Sequence, residues 1–277
     1  MKPGYERARV LITVKTYPNP SAKYEETVCV AGVRLDGEKP EWIRLYPVRF
    51  RSVDEGAQFD KYEVIEVHVT PHGSTDPRVE SHRPDQQTVV HLDRIDTDRG
   101  TWRRRRDLLG ELPGMTTTCD LRRDAVSGRM SDPARSLGMI KPHVTDVSVS
   151  EGRPWDAGQL RKIADASQPT LFGPGLRPLE PMPYNVHYEY TCEADGCDGH
   201  RQKVLDWELG QAGRKWKREY GDLAIEEIRR KWADQMTASD RDLYFFIGNQ
   251  HQHRGSFSVL GTWWPKQQAE DRQLGLF

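Results

Sequence analysis

Residues 62–70 (YEVIEVHVT) alternate apolar and polar side chains, the period of a strand with one face buried. Three further stretches that read as strands lie upstream: 8–16 (ARVLITVKT), 26–35 (ETVCVAGVRL) and 41–46 (EWIRLY). The first is rich in β-branched residues, and Asp36-Gly37 supplies a turn between the last two. Downstream, 87–92 offers a fifth strand. Five strands with short connections and no helix between them predict a small antiparallel barrel at the N-terminus. The polar, Pro-containing loop 71–85 that precedes the fifth strand has the length of a functional or moving segment.

Beyond the barrel, 99–110 (RGTWRRRRDLLG) reads as a short basic helix. A strand over 144–149 and a helix over 154–166 are expected in a less regular stretch. Residues 168–183 hold five prolines and read as a linker. The C-terminal part is denser, with strands at 184–190, 243–248 and 256–264 and helices at 206–216 and 222–236. In the last helix Ile225, Ile228, Trp232 and Met236 form one apolar stripe, read as core. No internal repeat is visible. The expected class is α+β: a barrel over 1–110, an irregular connector over 111–183, a Cys/His-containing α+β unit over 184–265 and a disordered tail over 266–277.

Composition limits the function. The 277 residues include 41 Lys+Arg and 42 Asp+Glu, a net charge of −1, so any nucleic acid is held by local patches rather than by the whole molecule. No apolar run approaches the ~20 residues of a membrane span, and the charged stretch 2–9 does not open a secretory signal. The 8 Trp, 10 Tyr and 7 Phe argue against full disorder. A cytoplasmic protein is expected, and with it reduced cysteines. Cys29, in an apolar run, reads as a small buried hydrophobe, while Cys119 lies in a polar stretch and receives no role.

Cys192, Cys197 and His200 fall within nine residues, with glycines at 196 and 199 to turn the backbone. That is the local pattern of a zinc knuckle, in which thiolates and an imidazole complete a tetrahedral site. The fourth donor is not adjacent. His253 is the first candidate, followed by His251 and His187. A closed site would be structural, whereas an open one would let the metal activate water, with Glu208, His251 and His253 as the candidate catalytic residues of a metal-dependent nuclease. Asp206 and Glu208 open a helix, where acids are favoured by the helix dipole alone.

Trp102 precedes Arg103, Arg104, Arg105 and Arg106, and Arg214, Lys215 and Lys217 surround Trp216. Guanidinium groups interleaved with a stacking ring form a candidate nucleic-acid surface. The alternative is a pair of solvated helix faces.

The chain ends Gln273-Leu274-Gly275-Leu276-Phe277. An extended tail that exposes large apolar groups makes sense as an insert for a partner's pocket. These residues resemble the Gln-Leu-(Ser or Asp)-Leu-Phe motif by which bacterial replication and repair proteins bind the DNA polymerase sliding clamp, with Gly275 the one departure. The resemblance assigns partner contacts to Gln273, Leu274, Leu276 and Phe277.

A wider likeness rests on Cys29-Val-Ala-Gly32, Trp42-Ile-Arg-Leu-Tyr-Pro47, Ser136-Leu-Gly-Met-Ile-Lys-Pro142, Cys197-Asp-Gly-His200, Asp206-Trp-Glu208 and Phe245-Phe-Ile-Gly248. Through these stretches the chain is similar to a family of bacterial proteins associated with mobile elements and antiviral defence. The first two stretches also resemble the opening of paired OB-like barrels, which implies an OB-like N-terminal barrel and nucleic-acid binding. The expected partners are the sliding clamp and nucleic acid, DNA ahead of RNA. The expected cofactor is a structural zinc, and the expected role is that of a DNA-associated protein in repair, mobile-element or defence processes.

Overall fold

The computed structural model describes residues 2–21, 25–49, 58–73, 76–168 and 178–267. The first six strands are β1 (Glu6–Lys15), β2 (Asn19–Ser21), β3 (Glu25–Arg34), β4 (Glu41–Val48), β5 (Glu63–Pro71) and β6 (Ser81–Arg94). Strand β1 pairs with both β3 and β5, so the order β1-β5-β6-β4-β3 closes on itself as a five-stranded barrel. The pattern predicts an all-antiparallel barrel, but β4 and β6 run parallel, with Arg44 opposite Ser81 and Leu45 opposite His82. This single parallel contact joins strands three and five and gives the barrel OB connectivity. Gly32 makes the closure possible, because a Cβ there would lie 2.2 Å from the Leu11 carbonyl oxygen on β1.

Ala8, Val10, Ile12, Val30, Ile43, Ile65, Val67 and Val69 fill the barrel interior. Its outer wall is also apolar along one side. Leu11, Val14, Ala31, Val33, Tyr62 and Val64 pack against Leu137, Met139, Phe246, Leu260 and Trp263 from later in the chain.

Helices α1 (Arg103–Leu109) and α2 (Thr118–Val126) lead into the second half. Thr117 caps α2 by accepting the Asp120 N–H. Strands β7 (Leu137–Ile140) and β8 (Pro142–Glu151) follow, then α3 (Ala157–Ala166), begun by a capping box between Asp156 and Gln159. The remaining elements are β9 (Tyr184–Cys192), β10 (His200–Lys203), α4 (Trp207–Tyr220), α5 (Ala224–Arg229), β11 (Tyr244–Gln250) and β12 (His253–Trp263). The helix expected over 222–236 passes from α5 into a π-helical turn at Arg230–Gln235.

These later strands repeat the connectivity of the first barrel. Strand β8 pairs with β9, β9 with β10, β12 with β11, and β11 with β7, all antiparallel. A parallel bridge between Val204 and Val259 joins the end of β10 to β12. Segments β7 and β8 act as one bent first strand, and α4 and α5 stand between the third and fourth. The chain therefore contains a second OB-type ring, so the absence of a repeat in the sequence does not extend to the topology. Residues 137–151, read as connector, are its first strand. Its core holds Val186, Tyr188, Tyr190, Leu209, Ile228, Trp232, Phe245 and Val259.

The interface between the rings also carries a buried polar network. Arg44, 2% exposed, donates to the Cys29 sulfur (2.9 Å) and to the Ser136 carbonyl and hydroxyl oxygens (3.1 Å each). The Glu80 carboxylate accepts the Ser136 N–H at 2.9 Å and its hydroxyl at 2.8 Å. Cys29 is thus a hydrogen-bond acceptor at the interface as well as a small apolar group. Among the described residues no helix is long and apolar enough to cross a membrane.

Candidate metal centre

Strands β9 and β10 form a hairpin with His200 opposite Tyr190 and Arg201 opposite Glu189. Cys192 ends β9, Cys197 lies in the tip and His200 begins β10. Gly196 (φ +68°) and Gly199 (φ +99°) take left-handed conformations that turn the tip back on itself. A fourth donor arrives from the first turn of α2, where Cys119 faces the hairpin. Its sulfur lies 3.5 Å from His200 Nε2. Cys192 and Cys197 sulfurs are 3.6 Å apart and lie 3.5 and 3.3 Å from the same nitrogen. All four donor atoms fall within 4.8 Å of one another.

These separations are those of a coordination tetrahedron. Zinc–sulfur bonds of about 2.3 Å and zinc–nitrogen bonds of about 2.0–2.1 Å place donors roughly 3.8 Å (S···S) and 3.6 Å (S···N) apart. The three thiols and one imidazole can therefore hold a metal ion. Four protein donors fill a tetrahedral shell and leave no position for a reactive water, the arrangement of a structural site.

Neighbouring side chains fix the donors. The Tyr190 hydroxyl donates to Gln202 Oε1 at 2.9 Å, and the Thr118 hydroxyl, 2.9 Å away, donates to Tyr190. Since Thr118 precedes Cys119, this chain of bonds holds α2 against the hairpin. Burial and the adjacent Cys192 and Cys197 push the Cys119 thiol up to about 12. Burial opposes ionisation of Cys192 too, yet the Ala194 N–H brings it below its ordinary value. Burial, with Arg122 nearby, lowers His200 and keeps its imidazole in the neutral, ligating form. Crowded sulfurs that resist joint ionisation are what a divalent cation relieves.

The sequence-predicted residues are distributed otherwise than expected. His253 is not the fourth donor: it is exposed at the start of β12, paired with Gln250 across a tight turn, and His251 is exposed in that turn. His187 points outward from β9, its pKa lowered by burial and by Arg201 and Lys203. Asp206 caps α4 through the Glu208 N–H and pairs with Lys61, and Glu208 lies 3.4 Å from the same ammonium. Glu208, His251 and His253 are thus not gathered with the Cys/His group, which is the sole such cluster of donors among the described residues.

Two members of the first basic patch, Trp102 and Arg105, are used for packing. Trp102 stands edge-on to Trp263 and Tyr62, and buried Arg105 stacks 3.8 Å from the Tyr62 ring centre while donating twice to the Ile95 carbonyl. This corrects their reading as a stacking surface for bases. Arg106 binds Asp242, Arg104 binds Asp93, and Arg103 is exposed. Arg214 donates to the Tyr17 hydroxyl, Lys215 faces Glu219, and Lys217 is exposed. Gln273, Leu274, Leu276 and Phe277 lie outside the described residues.

Cys119 is the donor that sequence reasoning missed, and the available signal was arithmetic: three local donors and one cysteine without a role. Also missed was the outer face of β8–β9–β10. There the register sets up two cross-strand rows, Asp146–Glu189–Arg201 and Ser148–His187–Lys203. Tyr188 and Tyr190 of the same strands point into the core.

Family models match both halves of the chain. One described as Domain of unknown function (DUF8758) matches residues 6–111. One described as Domain of unknown function (DUF8757) matches residues 114–277. No curated protein matches. A solved structure titled "Structure of murine DNA binding protein bound with ds DNA" is similar at a TM-score of 0.31 and 7% identity, covering 95% of this chain and 97% of that one. Nothing about this chain follows from likeness at that level.

Proposed function

We propose, for a chain that belongs to the family described as Domain of unknown function (DUF8757), that it is a zinc-stapled nucleic-acid-binding protein acting through its second barrel. The observation that carries this reading is a difference between the two rings. OB-type barrels take oligonucleotides on the face of their second and third strands. In the first barrel those strands are β3 and β4, and their outer side chains Ala31, Val33 and Trp42 are covered by the second barrel. In the second barrel they are β9 and β10, and their outer rows carry exposed Arg201 and half-buried Lys203 and His187, with Asp146 and Glu189 in the Arg201 row. Exposed Arg153 lies close enough to add to the lowering of the Lys203 pKa, which burial begins. Cations and hydrogen-bonding groups on an open sheet suit a single strand, whose phosphates supply most of the affinity.

Zinc, in this reading, ties the tip of the β9–β10 hairpin to α2 and holds the binding strands in register. Its closed Cys₃His set speaks against a metallonuclease. The tail Gln273–Phe277, by its resemblance to the clamp motif, supports recruitment to the DNA polymerase sliding clamp. Such a tether raises the local concentration at DNA without further contacts. The protein would then act in repair, mobile-element or antiviral-defence processes.

The test is fluorescence anisotropy of the zinc-loaded chain with single-stranded DNA and RNA over a salt series. Binding that weakens with salt and drops on K203A or R201A supports the reading; no binding at low salt overturns it. Clamp recruitment is tested separately, since deleting 273–277 should abolish clamp capture and leave thermal stability unchanged.

A further inference from the structure

Beside the Cys/His group a cleft of about 200 Å³ opens between α2, the start of β10 and β12. Arg122, Arg201, Gln202 and Ser256 line it, together with Thr118 and His200, and no carboxylate does. Arg122 is exposed and has no ion-pair or hydrogen-bond partner among the described residues. Arg201 uses Nε on Glu189 at 3.1 Å, which leaves its terminal nitrogens for another acceptor. Gln202 is 6% exposed, and its oxygen is taken by the Tyr190 hydroxyl. Its amide nitrogen has no partner among the described residues and is the group left for the cleft.

The lining is therefore a surplus of donors: two guanidinium groups, the Gln202 amide nitrogen and the Ser256 hydroxyl. Arg122 has no acid paired with it among the described residues, Arg201 keeps its terminal nitrogens free beside Glu189, and planar forked donors match a tetrahedral oxyanion. The volume lies below the roughly 300–1,000 Å³ of sites for whole small molecules and suits one phosphate group with its water. Arg201 also belongs to the outer row Asp146–Glu189–Arg201, so the cleft continues the open β9–β10 face.

We infer that this cleft is a phosphate subsite, in which Arg122 and Arg201 grip one phosphate of a nucleic-acid strand laid across β9 and β10. It rests on the nucleic-acid reading above and specifies where that strand is anchored. The phosphate comes from a strand end or from the backbone, and the chemistry of the grip is the same for both.

The experiment uses the full zinc-loaded chain. Inorganic phosphate is titrated while the arginine Nε–H signals are followed by NMR. Anisotropy is then measured with one single-stranded sequence carrying either a 5′-phosphate or a 5′-hydroxyl. Saturable movement of the Arg122 and Arg201 signals is expected. In R122A strand affinity should fall on the order of tenfold, with the salt slope shallower by about 0.7, while R122K keeps part of the affinity. Because Arg122 is exposed and unpaired, R122A should retain its zinc, which is measured alongside. A preference for the 5′-phosphate that vanishes in R122A assigns a strand end; equal losses for both strands assign a backbone phosphate. If strands bind but neither R122A nor R201A weakens them, the subsite is refuted and the nucleic-acid reading stands. If phosphate binds and no strand does, the nucleic-acid reading falls and the subsite with it.

Discussion

Lys61 Nζ lies 2.9 Å from Asp206 Oδ2, with both side chains almost fully enclosed. The pair joins the segment before β5 in the first barrel to the N-cap of α4 in the second. Burial works against the ammonium, but Asp206 and Glu208 together hold the Lys61 pKa above its ordinary value. Replacing Lys61 by Met leaves an uncompensated buried carboxylate and should cost about 3–5 kcal/mol. Asn is as good a helix cap as Asp, so K61M/D206N should recover most of that loss. Urea midpoints of the wild type, both single variants and the double variant test this. A double variant as unstable as the sum of the singles would show that the charges do not act as a pair.

Purified protein should contain a single zinc ion per chain. C119S should lower the zinc content and H253A should leave it unchanged, as measured by elemental analysis. Chelation should expose amide hydrogens in α2 and the β9–β10 hairpin well before those of β1 and β5, because apo ligands hold no fold of their own. Full zinc occupancy in C119S would return the fourth position to another donor.

Lys15 is 5% exposed, donates to the Phe59 carbonyl at 2.8 Å, and has its pKa lowered by burial to about 8. Between that value and its ordinary 10.5 the unfolded chain binds the extra proton. Stability should therefore rise as pH climbs through this window, by on the order of 3 kcal/mol. The raised Lys61 contributes the opposite slope only above its ordinary value of 10.5. Burial lowers Lys203 and Lys231 in the same direction, so chemical denaturation at stepped pH should show a steeper rise in wild type than in K15M. An equal slope in both would remove Lys15 as its source.

Arg105 and Lys203 should separate packing from binding. R105A removes the stack on Tyr62 and two hydrogen bonds to Ile95, a loss of about 2–4 kcal/mol, and should leave strand affinity unchanged where the protein is folded. K203A should do the reverse. Anisotropy and thermal melts on both variants decide the matter, and loss of strand affinity in folded R105A would restore the basic helix as a binding surface.

The first barrel was legible because β5 keeps a two-residue period and β1, β3 and β4 are apolar runs too short for helices. The β4–β6 parallel pair was not, since no local signal links Arg44 to Ser81. The second ring hid for three local reasons: its first strand breaks at Lys141, its third is four residues long, and its helices sit between strands three and four. Cys192, Cys197 and His200 stood out because they share one hairpin. Cys119, 81 residues from His200, is brought in by tertiary packing alone. Trp102 and Arg105 misled for a chemical reason: a guanidinium stacked on a ring looks the same in sequence whether the ring belongs to a base or to Tyr62.

The apolar outer wall of the first barrel also bears on how the protein is made. Leu11, Ala31, Val33 and Val64 leave the ribosome well before Phe246, Leu260 and Trp263, which help to cover them. Roughly 150 residues separate the completed first barrel from the Phe246 part of its cover, about 8 to 30 s of synthesis. Until then the nascent chain presents an incompletely covered apolar wall beside a finished barrel. A ribosome-associated holdase that shields this wall would raise the yield of native protein. A polypeptide cut near residue 111 should stay soluble only when its missing half is co-expressed.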